Sequence, residues 1–149
     1  MTVNELTRAG QWLYETLTGD ATIGALPSIT VGEAGVYADI APPGAPWPFV
    51  IFQHQGSIDT TGMNAGTRVL VESLWTVKAV GQAEGYAALA AVADAIDAVL
   101  QATSGAVDDG TVLSCVREQP VQFTEADQNE APGVQWRHLG ATWRLLIQV

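Results

Sequence analysis

From Val134 to Val149 the residues Leu139, Ala141, Trp143, Leu145, Ile147 and Val149 occupy alternate positions. That period of two cannot be buried on one side of a helix, so the segment must be a long strand with one face in a core. Arg137 falls on the same side, near the open end of the strand. The pattern recurs in Arg68 to Val80, where Val69, Val71, Trp75, Val77 and Ala79 share one face. Arg68, Glu72, Thr76 and Lys78 fall on the other, with Leu70 and Leu74. A sheet with one apolar face needs a covering layer, and the rest of the chain must supply it.

Two segments with helical periodicity do so. Thr2 and Glu5 have capping-box spacing, and Leu6, Leu13 and Leu17 follow until Gly19 ends the pattern. Asp20 is placed to cap a further short turn through Ile23 and Leu26, closed by Pro27. From Glu84 to Gln101, Tyr86, Leu89, Ala93, Ile96 and Leu100 recur at steps of three and four, with Asp94, Asp97 and Gln101 turned away. Val36 to Ile40, Phe49 to Gln55 and Thr111 to Gln119 read as further strands.

Between them lie three irregular stretches. Ala41 to Pro48 carries four prolines, which exclude both helix and ladder donors and leave a stiff connector. Gly56 to Thr67 reads as a long polar tongue, and Pro120 to Gly133 as an acidic connector with Glu125, Asp127 and Glu130. The expected fold is α+β: a mostly antiparallel, mixed sheet of four to five strands, an N-terminal helix, one long central helix and long protruding loops. One domain covers residues 1–149.

Composition limits function. With 6 Lys+Arg against 16 Asp+Glu the net charge is −10, which argues against a surface that grips nucleic-acid phosphates. No apolar run approaches the ~18 residues of a membrane span, and the first residues lack a basic, then apolar, leader, so a soluble, unexported chain is expected. His54 and His138 have no metal-ligand spacing, Ser57, Ser104 and Ser114 lack a nucleophile elbow, and Cys115 sits in an apolar strand. No glycine stretch matches a phosphate-binding loop, so neither cofactor nor metal is expected. Trp12, Trp75 and Trp143 fall on apolar stripes, whereas Trp47, between prolines, either roofs the sheet or anchors a partner. A binding or assembly module fits these absences better than an enzyme. The competing reading is a small ligand-binding protein or enzyme using His54, Asp39 or Asp59 in a pocket beneath the Pro-rich connector.

The run Gly35-Val36-Tyr37-Ala38-Asp39-Ile40-Ala41-Pro42-Pro43-Gly44-Ala45-Pro46-Trp47-Pro48-Phe49-Val50-Ile51 resembles a segment of the tail terminator, or tail completion, proteins of long-tailed phages and prophages. The order of elements agrees over most of the chain. The resemblance implies a non-enzymatic virion protein that forms a ring, usually a hexamer, on the head-proximal end of the tail tube. There it would stop tube polymerisation and offer the surface to which the head attaches through its neck proteins. Its implied partners are further copies of itself, the major tail tube protein and head-completion proteins, with genome DNA passing through the lumen unbound. A neck or head–tail connector subunit is the alternative within the same architecture.

A closed ring needs two different patches on each subunit. Arg68 and Arg137 are expected to face a neighbour's Glu125, Asp127 or Glu130, with Trp47 as a further interface candidate. Ser57, Asp59, Thr60, Thr61 and Asn64 form the candidate loop that docks on the tube or lines the lumen.

Overall fold

The computed structural model describes residues 5–63, 66, 68–82, 84–107, 110–126 and 134–148. Thr2, Asn64, Asp127 and Glu130 therefore lie outside the described residues. In chain order the elements are α1 (Glu5–Thr18), α2 (Ala21–Gly24), β1 (Val36–Ala38), β2 (Phe49–Thr61), β3 (Arg68–Gly81), α3 (Ala87–Leu100), β4 (Gly105–Val107), β5 (Gly110–Ala126) and β6 (Gln135–Gln148).

The strands form one sheet of order β1-β2-β3-β6-β5-β4. It is antiparallel except where β1 runs parallel to β2, so the sheet is mixed, as expected, but has six strands rather than four or five. The addition is β4, a three-residue edge strand too short to show a period, while β1 is the expected strand at Val36, ending at Ala38 rather than Ile40. The polar tongue is shorter than expected: β2 runs on to Thr61 and pairs with β3 as far as Thr61↔Arg68. The acidic connector is corrected in the same way, because Pro120 to Ala126 continue β5 against β6. The first reads as a loop because its side chains are largely polar on both faces, the composition of a strand that projects past the core, and the second because Pro120 and Glu125 obscure the short alternation of Val121 and Phe123.

One face of the sheet packs on the helices. Trp12, Leu13 and Leu17 of α1, Ile23 of α2, and Leu89, Val92, Ile96 and Leu100 of α3 meet Val50, Phe52, Trp75, Val77, Trp143, Leu145 and Ile147. Trp12, Trp75 and Trp143 are thus core, and Cys115 is fully buried among them. Asp20 caps α2, accepting from the Thr22 and Ile23 N–H groups at 2.9 and 3.0 Å. The central helix starts at Ala87, three residues later than Glu84, and Val92 rather than Ala93 carries its buried stripe.

The opposite face carries a smaller cluster at one end: Phe49, Ile51 and Val80, with Tyr37, Ala41, Ala45 and Trp136 against them. This end is apolar on both sides, so Thr76, Lys78 and Val80 are buried although they alternate with the helix-facing residues of β3. The strands come close enough at Gly140 that a Cβ there would lie 2.5 Å from Lys78 Cα.

Candidate functional site

The Pro-rich connector arches over the second face and, with the strands below, encloses an open cleft of about 980 Å³. Strand alternation decides its floor. Phe49 and Ile51 of β2, Lys78 and Val80 of β3, Phe123 and Glu125 of β5, and Trp136 and His138 of β6 all line it, with Trp47 on the connector side. Trp47 packs near Gly81 yet keeps 45% of its surface exposed, so it helps to roof the cleft and presents a free aromatic face.

Two ionisable side chains are buried in this floor, Lys78 at 8% and His138 at 6% exposure. The Phe123 ring adjoins both, stacked on His138 at 4.2 Å between centroids and with Lys78 Nζ 4.9 Å from the Phe123 centroid. His138 Nε2 lies 3.2 Å from Glu125 Oε2, while Nδ1 has no hydrogen-bond partner among the described residues. Burial, then the charge of Lys78, holds His138 below the ordinary histidine range, against the opposing pull of Glu125. Burial likewise lowers Lys78, with Glu125 opposing it.

Lys78 is the one lysine of the chain. Among the described residues no carboxylate lies within ion-pairing distance of it. By contrast, Arg68 holds Glu5 at 2.9 Å, Arg117 holds Asp97 at 3.4 Å, and Arg144 bridges Glu72 and Glu118.

The residues singled out from the sequence scatter over the molecule. Arg68 is paired in its own chain with Glu5 and more loosely with Asp59, at 3.7 Å. Arg137 stacks on Tyr86 with its guanidinium 5.3 Å from the ring centroid, and donates to Thr124 Oγ1 at 3.0 Å. Glu125 and Trp47 belong to the cleft. Ser57, Asp59, Thr60 and Thr61 lie on the exposed outer half of β2, not in a loop. The expected pocket residues do not converge. Asp39 lines the cleft, but His54 is beside Trp75 on the helix side, 5.2 Å between rings, and Asp59 lies six residues along β2 beyond the cleft-lining Gln53. Lys78 and His138 were the informative residues, and the available signal was a lone lysine flanked by Val77, Ala79 and Val80. Among the described residues no group of three or more His, Cys, Asp or Glu is arranged to hold a metal ion.

The cleft thus has aromatic walls and a buried lysine that, among the described residues, has no carboxylate at ion-pair distance. The family described as tail completion protein gp17 matches residues 11–140. The chain belongs to that family. It is accordingly a structural component of a phage tail, whose work is to meet other tail and head-joining proteins. The match includes the Pro-rich connector and all of the cleft. No curated protein matches the chain. No helix among the described residues is long and apolar enough to cross a membrane.

Proposed function

We propose that this tail completion protein forms a ring, hexameric by analogy with the family it resembles, on the head-proximal end of the tail tube. The ring ends tube growth and offers the surface to which the head is joined. The family match over residues 11–140 carries this reading.

The sheet supports it. β1 pairs with only Val50 to Phe52 of β2, and β4 with only Gly110 to Val112 of β5. Long stretches of both strands thus have no strand on their outer side among the described residues, one on each flank of the sheet. Two unlike edges are what a head-to-tail ring contact requires. The β2–β3 arm also exposes Ile58 and Met63, apolar side chains that solvent does not favour. In this proposal the arm tip reaches the tube or the lumen. Intersubunit pairing through Arg68 or Arg137 would exchange their in-chain partners for a neighbour's carboxylates, and would weaken with salt.

The test is mass by light scattering after size exclusion, with and without purified tail tubes, combined with negative-stain images. A six-subunit ring, or a monomer that becomes a cap at one tube end, is the expected result. A monomer or dimer that ignores tubes overturns the reading.

A further inference from the structure

The cleft contains a set of groups that the fold alone does not explain. A lysine buried in an apolar floor is costly unless something compensates its charge. Lys78 has an aromatic face, Phe123, and no carboxylate at ion-pair distance among the described residues. Glu125 turns instead to His138 Nε2, and its side chain is largely exposed. A carboxylate only accepts, so the proton of the neutral imidazole belongs on Nε2, leaving Nδ1 as a buried acceptor without a donor.

Among the described residues the site therefore lacks a negative group for Lys78, whereas His138 Nδ1 is shut off from solvent and out of reach of an incoming group. A free inorganic anion or a nucleic-acid phosphate supplies charge for Lys78 but leaves the aromatic walls uncovered. Both are also repelled by a chain of net charge −10 with Asp39 and Glu125 at the cleft. A polypeptide brings both charge and apolar contact, since an Asp or Glu side chain can reach Lys78 while its neighbours cover the aromatic walls. Its apolar neighbours would rest on Phe49, Trp136 and the exposed face of Trp47, and this contact area offsets the unfavourable net charge.

We propose that this cleft is the docking site for an Asp- or Glu-bearing segment of a neighbouring virion protein, with Lys78 as counter-ion and the aromatic residues as walls. The carboxylate chemistry rests on the side chains alone. That the segment belongs to a virion protein rests on the assembly reading above.

A single lysine makes the test direct, because 13C-lysine labelling gives one Cε signal. The probes are Ac-Leu-Asp-Leu-NH2 and its uncharged twin Ac-Leu-Asn-Leu-NH2. The Asp peptide is expected to move the Lys78 signal saturably in the millimolar range and the Asn peptide to bind about tenfold more weakly. K78R should keep that preference and K78M should lose it. Equal binding of the two peptides, or no movement of the Lys78 signal, overturns the proposal, as does a larger response to inorganic phosphate or to a thymidine oligonucleotide. The peptide comparison uses the unaltered protein, so it decides the matter even if K78M fails to fold. A second arm compares acetylation of Lys78 in the free protein and in purified tails. Protection of about tenfold in tails is expected for a seated segment, and equal labelling overturns the assignment of the occupant. Absence of the protein from tails would instead refute the assembly reading and leave the peptide result standing.

Discussion

Gly140→Ala should destabilise the fold strongly, and the reason is local. A Cβ at position 140 would sit 2.5 Å from Lys78 Cα and 2.8 Å from Lys78 Cβ, and closer still to the Val77 carbonyl oxygen. All but one of these atoms are backbone in β3, which is fixed on both sides by β2 and β6, so none can swing aside. Relief requires β3 and β6 to part by about 1 Å, an overpacking cost of about 3 kcal/mol. In a chain of this size each kcal/mol lowers the melting temperature by about 2–4 °C, which gives a loss of about 6–12 °C. Thermal melts followed by circular dichroism, checked by urea titration, read it directly. The control is Gly56→Ala, at the β2 bulge, where an added Cβ meets nothing within 4 Å; that variant should lie within about 0.5 kcal/mol of the parent. A Gly140→Ala melting temperature within about 2 °C of the parent would refute the close approach of β3 and β6 described here.

Burial pushes the Cys115 thiol up to about 12, so native protein at pH 8 should react with Ellman's reagent far more slowly than protein in denaturant; equal rates would contradict its place in the core. His138 is held below its ordinary value, chiefly by burial and then by Lys78, so the unfolded chain takes up a proton first as pH falls. Its neutral form supports full stability above about pH 6.5, and stability should decline below that until the folded protein is also protonated. Urea midpoints measured for the parent and for His138→Gln should diverge across that window, with the variant showing the flatter profile; parallel profiles would refute the assignment.

Much of the architecture is legible in the residues because it depends on period. The alternation in Val134 to Val149 and Arg68 to Val80, and the three- and four-residue steps of the two longer helices, report directly which side of each element meets the core. The Asp20 cap is equally local: a short acceptor side chain placed before Thr22 and Ile23 satisfies the first N–H groups of α2 wherever the helix sits. Polarity on both faces is a weaker signal. The outer half of β2 looks like a loop because no core dictates an alternation there, and the distal part of β5 because Pro120 and Glu125 obscure the alternation of Val121 and Phe123, yet backbone pairing with β3 and β6 keeps both extended.

The candidate cleft was not legible for a different reason. Lys78, Phe123, Glu125, Trp136 and His138 come from three strands, and no spacing along the chain states that β6 lies between β3 and β5. The Pro-rich connector could be read as stiff and Trp47 as unusual, but which face it would cover depends on the parallel β1–β2 pairing. The chain by itself therefore determined the elements, their buried sides and the resemblance carried by residues 35–51, because each is a property of neighbours in sequence. Only the tertiary structure decided that both faces are apolar at one end of the sheet. It alone brought a lone lysine and a half-satisfied histidine together beneath the connector, because burial and charge pairing are set by residues far apart in the chain.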